Sequence, residues 1–360
     1  MTTDSGSGIA DTNAGTMSVR EGYAFDEARL AEWMRANVAG YSGPLQVEQF
    51  RGGQSNPTYK LITPGRSYVL RRKPPGDLVP GAHAVEREAR VLQRLGETGF
   101  PVAHVYGLCT DDAVIGTWFY VMEHVEGRIF WDATFPDVGR EERPAYFYAM
   151  SETLARLHAI DPVAVGLGDF GKPGNYFARQ IGRWTKQYLG DEAAGRNPDM
   201  DALIEWLPAH IPAGDETRVI HGDFRCDNMF FDPVRPVIRA VLDWELSTLG
   251  HPLADFAYSA MMYRMPPDIV AGLAGADLAA LNIPSEDQYI ARYCAAAGRS
   301  DLADYEFYIA FNFFRLAAIF HGIKGRVIRG TAASSEAPRR AASFPLLARM
   351  ARDAARSVGG

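Results

Sequence analysis

The segment Val219-Ile220-His221-Gly222-Asp223-Phe224-Arg225-Cys226-Asp227-Asn228, with Val237 to Leu242 and Asp243-Trp244-Glu245 behind it, decides how the rest of the chain is read. Two short apolar runs, Val219-Ile220 and Val237 to Leu242, lead straight into acidic residues. Runs rich in β-branched residues predict buried strands, and polar clusters at their ends predict loops. Asp223 and Asn228 lie on one such loop and Asp243 closes the next strand, so the three side chains can converge on one point. Oxygen-bearing side chains of this type suit Mg²⁺, which takes few protein ligands and shares its remaining positions with water and phosphate.

The same spacing matches the H-x-D-x-x-x-x-N catalytic loop of kinases, which a metal-binding aspartate follows. Together, HGDFRCDNMFFDP and AVLDWELSTLGHPLADFAY resemble the aminoglycoside phosphotransferase family of protein-kinase-like small-molecule kinases. More closely, they are similar to the kinase-like domain fused to some acyl-CoA dehydrogenases. The resemblance covers roughly residues 40–325 and implies an α+β, protein-kinase-like bilobal fold. Residues 21–124 would form a small sheet-containing lobe that binds nucleotide. Residues 125–328 would form a larger, mainly helical lobe that carries catalysis and the acceptor.

The resemblance also assigns roles. Asp223 would orient and deprotonate an acceptor hydroxyl. Asn228 and Asp243 would hold Mg²⁺ against the phosphates of ATP, with Asn228 counted among the catalytic residues as well. Arg225 would offset charge on the phosphate or the acceptor, and His221 would brace the loop. Asp255, after Gly250-His251-Pro252, would support the loop from the first turn of a helix. Asp243-Trp244-Glu245 stands where protein kinases carry Asp-Phe-Gly, so the metal carboxylate is kept without a reason to expect a phenylalanine flip.

Upstream, Gly52-Gly53-Gln54-Ser55-Asn56 lies between extended segments. Paired glycines followed by small polar residues can bring backbone amides close to a phosphate, and a Gly-Gly hairpin turn accounts for them equally well. Members of the family carry a GGxSN-type loop over the nucleotide, which points to Gly53, Ser55 and Asn56 as phosphate contacts. Ser67 to Arg71 predicts a strand, ending in Arg71-Arg72-Lys73. In kinases a strand lysine grips the phosphates and is held by a helix glutamate. Arg71 takes that position here, with Lys73 two residues on as the alternative. The segment AVEREARVLQRL, residues 84–95, places Val85, Ala89, Leu92 and Leu95 on one helical stripe. Glu88 falls inside the stripe and Glu86 outside it; a buried carboxylate needs a cation, so Glu88 is the expected partner. Trp118 to Met122 predicts a buried strand. The Glu123-His124-Val125 that follows resembles the hinge whose backbone holds adenine at Glu123 and Val125.

Composition bounds the remaining possibilities. The 360 residues exceed the usual size of one core, and a 47% hydrophobic, 22% charged makeup is that of an ordinary globular protein. A net charge of −7 argues against nucleic acid as the main partner. Cys109, Cys226 and Cys294 are odd in number and far apart, which predicts a reducing, cytoplasmic setting without a disulfide framework or zinc site. Residues 1–20 are small and polar and read as a disordered tail rather than a leader or anchor. Leu30, Trp33, Met34 and Val38 predict an amphipathic helix, and Met150 to Ile160 another, in which His158 is expected to be a core histidine bonded to backbone. Residues 305–323 are very apolar but are interrupted by Glu306, Asn312 and Arg315, which fits a buried core helix rather than a membrane span. Residues 329–360 read as a mobile connector, 329–343, and a short final helix, Leu346 to Ala355.

These readings converge on transfer of the γ-phosphoryl of Mg-ATP to a hydroxyl of a small molecule. The closer likeness points to a hydroxylated acyl or acyl-CoA acceptor. The rival accounts are a catalytically silent nucleotide-binding scaffold on the same fold and an aminoglycoside-type antibiotic kinase. A protein kinase is disfavoured because no Ala-Pro-Glu follows Asp243.

Overall fold

The computed structural model describes residues 15–51, 56–76, 83–332, 334 and 336–358. The chain divides into two compact units. The first comprises residues up to Asp132 together with Val163–Leu167 and Cys226–Ser247; the second comprises Ala133–Pro162, Gly168–Arg225 and Thr248 onward. The expected boundary at 124/125 therefore falls eight residues later by this division (132 − 124), and the segment carrying Asn228 and Asp243 belongs to the N-terminal unit.

The first unit is built on a six-stranded sheet, ordered β1-β2-β3-β4-β6-β5. Its strands are β1 (Thr16–Met17), β2 (Gln46–Phe50), β3 (Thr58–Ile62), β4 (Ser67–Arg72), β5 (Val105–Cys109) and β6 (Phe119–Glu123). All neighbours are antiparallel, so short connections suffice. Strand β1 corrects the expectation of a tail through residue 20: Thr16 pairs with Phe50 and Met17 with Gln49. A two-residue strand leaves too little pattern to be seen in sequence. Residues 1–14, the rest of that expected tail, lie outside the described residues.

Helix α1 (Glu27–Asn37) starts at an Asp26 cap, whose side chain accepts from the Ala28 and Arg29 amides. It buries Leu30 and Met34 against Tyr59, Leu61, Tyr68, Leu70, Phe119 and Val121 of the sheet. Helix α2 (Val85–Gly96) buries Val85, Glu88, Ala89, Val91, Leu92 and Leu95, which is the predicted stripe with its carboxylate inside. A hairpin of Met229–Phe231 and Ile238–Val241 completes the unit, with Met229 opposite Val241.

The second unit is mainly helical. Its helices are α3 (Arg143–Ala159), α4 (Tyr176–Gly190), α5 (Pro198–Ala209), α6 (Pro252–Ala260), a single turn at Leu278–Leu281, α7 (Glu286–Ala297), α8 (Tyr305–Ile328) and α9 (Ala337–Ser357). A small ladder joins Arg218–Ile220 to Thr248–Gly250. Helix α8 is its spine: Phe307, Ile309, Ala310, Phe311, Phe313, Phe314, Ala317 and Ala318 are buried almost completely. No helix among the described residues is long and apolar enough to cross a membrane. Helix α9 is longer than the predicted final helix and takes in much of the expected connector. Its Phe344, Leu347, Ala348, Ala351, Ala354 and Ala355 form one buried face. Alanines carry little hydrophobic signal by themselves, so that face becomes evident only beside helix α8. The three cysteines are buried, and none of them forms a disulfide.

Candidate active site

In the first unit the candidate residues meet through strand register. Met229 opposite Val241 brings the residues just outside the hairpin together, and the Leu242 amide donates to the Asn228 carbonyl at 2.8 Å. Asn228, Leu242 and Asp243 accordingly line one cavity of about 270 Å³. Asp243 adopts left-handed backbone angles, φ 60° and ψ 67°. A non-glycine residue rarely holds that conformation, and here the following residue secures it. Trp244 is buried, its indole N–H donates to the Val241 carbonyl at 3.0 Å, and its ring meets Phe100 edge-on. A tryptophan so anchored is no counterpart of a flipping phenylalanine.

Arg71 ends the cavity's charged side. Its Nε lies 2.7 Å from Glu88 Oε2, and its Nη2 lies 3.1 Å from Asp243 Oδ1 and 3.5 Å from Glu245 Oε2. Burial pushes the Glu88 carboxyl upward in pKa, with the Arg71 guanidinium pulling against it. Two further donors satisfy that carboxylate: the Asn56 amide at 2.7 Å and the Tyr120 hydroxyl at 3.2 Å. Burial beside Glu88 raises the Tyr120 hydroxyl well above its ordinary pKa and keeps it a donor.

Lys73 turns elsewhere. It pairs with Glu86 at 3.0 Å and sits over the Trp118 ring at 4.1 Å. Arg71, rather than Lys73, is thus the cation that meets the buried Glu88.

Asn56 departs from its expected place beside the phosphates. It is fully buried, with its amide on Glu88 and its carbonyl oxygen 2.9 Å from His83 Nδ1. A buried carboxylate must find donors, and Asn56 is one of them. Gly53 and Ser55 lie outside the described residues.

The cavity's other side is apolar, lined by Val69, Ala103, Met122, Ile129, Phe230 and Val241. Glu123 and Val125 line it too. The Glu123 amide donates to the His104 carbonyl at 2.8 Å, at the edge of this wall. Ile129 and Phe230 are lining residues that no motif marks in the chain.

In the second unit the loop that starts the motif is held from below. The Asp255 carboxylate accepts the His221 amide at 2.7 Å and the Gly222 amide at 2.8 Å, and it meets His158 Nε2 at 3.3 Å. Burial works to raise its pKa, but His158 and these amides outweigh that and hold it below the usual carboxylate range. The structural role expected of Asp255 is therefore what its contacts provide. His158 is a core histidine as expected, but its partners are side chains: Nδ1 lies 2.7 Å from the Tyr293 hydroxyl. Gly222 takes φ +85°, a conformation in which a side chain would be strained. His221 braces the turn, its Nδ1 accepting the Asp223 amide at 3.2 Å.

Asp223 itself is gripped on one oxygen. Oδ1 accepts the Tyr258 hydroxyl at 2.6 Å and lies 3.1 Å from Arg225 Nε. Sequence spacing offered no hint of Tyr258, which reaches Asp223 only because helix α6 begins where it does. Arg315 of helix α8 lies 5.3 Å from the centre of the Tyr258 ring and donates to the Gly222 carbonyl at 2.9 Å.

A sheet-built first unit followed by a mainly helical second is the fold of the kinase-like phosphotransferases. The chain belongs to the phosphotransferase enzyme family whose model matches residues 46–311. It is 42% identical over 347 residues to mouse acyl-CoA dehydrogenase family member 10, covering 96% of this chain and 32% of that protein. With human acyl-CoA dehydrogenase family member 11 the identity is 40%, over 87% of this chain and 41% of the relative. The chain thus spans about a third to two fifths of the length of these relatives. Among solved structures, a Ralstonia eutropha chain named for the aminoglycoside phosphotransferases superposes with a TM-score of 0.86 at 48% identity, over 92% of this chain and 99% of that one. A ternary complex of aminoglycoside phosphotransferase APH(4)-Ia with ADP and hygromycin B, at 16% identity, shares the fold alone, with a TM-score of 0.58 over 93% of this chain and 99% of that one.

Proposed function

We propose that this chain transfers the γ-phosphoryl group of ATP to a hydroxyl of a small molecule, and that the acceptor is a hydroxylated acyl compound or its CoA thioester. The observation that carries the proposal is the Arg71–Glu88 ion pair lining one cavity with Asn228 and Asp243. Adenine would lie against the apolar wall, with the Glu123 carbonyl and the Val125 amide at its edge. Arg71 would bridge phosphate oxygens, for which a guanidinium is suited by its paired donors. The charged end fits Mg²⁺: its oxygen donors are the Asp243 carboxylate and the Asn228 side chain, a hard donor set of the kind this ion takes. When bound, Mg²⁺ would neutralise charge on the phosphates.

The chain's own residues supply the rest. Asp223, oriented by Tyr258 and Arg225, would accept the proton of the attacking hydroxyl. Once the proton is taken, the hydroxyl oxygen bonds to the γ-phosphorus and ADP leaves. The acyl class of acceptor rests on the likeness to acyl-CoA dehydrogenase family members 10 and 11. Such a likeness constrains chemistry more than substrate.

The test is ADP release with Mg-ATP against a panel of hydroxyacyl-CoA thioesters, free hydroxy acids and aminoglycosides. Turnover confined to the acyl compounds supports the proposal. Turnover confined to the aminoglycosides replaces the acceptor, and tight ATP binding without turnover on any of them favours the scaffold.

A further inference from the structure

We propose that Tyr258 is the positioning residue of Asp223: its hydroxyl fixes which carboxylate oxygen faces the acceptor, with Arg315 holding the tyrosine in place. The inference rests on the proposed role of Asp223 and deepens it. Tyr258 Oη to Asp223 Oδ1 is 2.6 Å, a short bond of the kind a hydroxyl makes to an ionised carboxylate. Arg225 Nε approaches the same oxygen at 3.1 Å. With Oδ1 engaged twice, the carboxylate cannot rotate without breaking both contacts, so its orientation is set before any substrate arrives.

The tyrosine is in turn constrained. Helix α6 carries it one turn beyond Asp255, whose carboxylate holds the His221 and Gly222 amides. One helix therefore grips the loop at its start and at its reactive residue. Arg315 supplies the opposite side, with its guanidinium over the Tyr258 ring and its Nη2 on the Gly222 carbonyl. The charged and titratable groups facing this pair are thus Arg225 and His221 from the loop and Arg315 from helix α8. The Tyr258 hydroxyl stays protonated: burial and then the Asp223 charge raise its pKa far above the ordinary phenol value. It acts as a donor, not as a second base.

Positioning of a reacting group to within a few tenths of an ångström is worth orders of magnitude in rate. Tyr258→Phe should lower kcat about 30-fold, in the range of losing one charge-assisted hydrogen bond, and should leave the KM for ATP within about twofold. A purely structural role would instead move thermal stability and KM together. An independent readout needs no acceptor at all. By NMR, the Tyr258 hydroxyl proton should be a slowly exchanging downfield resonance in the wild-type chain and should vanish in Tyr258→Phe. In Asp223→Asn it should move upfield, because a neutral amide oxygen is the weaker acceptor. If the phenylalanine variant does not fold, Asp223→Asn makes the same test. The resonance with its expected shift, in a chain that phosphorylates nothing, keeps the positioning contact and removes the kinase. Its absence, or a Tyr258→Phe enzyme with unchanged kcat, overturns the proposal.

Discussion

Two acidic clusters in this molecule are built on opposite plans. Around Arg71, three carboxylates, those of Glu88, Asp243 and Glu245, converge on one guanidinium. Around Asp223, a hydroxyl donor and a guanidinium converge on one carboxylate oxygen. In the first, acid outnumbers base, which is what a site for a divalent cation and its phosphates requires. In the second, a hydroxyl and a guanidinium meet one oxygen of the acid, which aims it. The difference teaches that a carboxylate's surroundings, more than its presence in a motif, set its work.

The sharpest way to break the contrast is to neutralise the second cluster. Asp223→Asn should lower phosphotransfer by about a thousandfold, the usual scale for a general base, while ATP affinity measured by calorimetry stays within about twofold. A parallel loss of ATP binding would mean that Asp223 belongs to the nucleotide's site instead. The matching change in the first cluster is Glu88→Gln, which leaves a buried guanidinium without its nearest partner. Denaturant unfolding should show a loss of about 3–4 kcal/mol, the cost of breaking a buried ion pair from one side. A loss below 1 kcal/mol would show that Asp243 and Glu245 suffice to hold Arg71.

A third test concerns the frame behind Asp223. His251 caps helix α6, its Nδ1 accepting the Leu253 amide, and burial lowers its pKa to about 4 from the ordinary 6.5. Between these two values the unfolded chain binds the proton and the folded chain does not, so stability falls as pH drops from 6.5 towards 4. The loss reaches about 3 kcal/mol once both states are protonated. His251→Asn keeps a capping side chain and should flatten that slope; an unchanged slope would assign the acid loss elsewhere. The smallest effect belongs to Lys73→Met. Its pair with Glu86 is partly exposed, and such pairs contribute under about 1 kcal/mol. ATP affinity should hardly change, whereas a tenfold loss would return Lys73 to the phosphates.

Much of both clusters was legible in the chain. Asp223, Asn228 and Asp243 stood at the ends of apolar runs, and Glu88 was singled out from Glu86 by the helical stripe that buries it. Arg71 came from the resemblance, as the strand cation in the place of the kinase lysine. What sequence could not supply were contacts set by three-dimensional packing. Tyr258 sits in a helix that is buried nearly all round, where no periodicity marks one face. Asn56 follows a glycine pair and so reads as a loop residue, yet its amide is consumed by the Glu88 carboxylate. The first turns of the terminal helix looked like a linker because residues 337–343 are small or charged and carry no apolar stripe. In each case the missing information was the identity of a neighbour distant in sequence.

The central claim is tested most directly by incubating the chain with Mg-ATP and a cell metabolite extract, beside an Asp223→Asn control, and following small molecules by mass spectrometry. The account predicts an acyl compound or CoA thioester that gains one phosphoryl group only with the intact chain. ATP that binds but is never turned over, or a phosphoryl product that persists in Asp223→Asn, would contradict it.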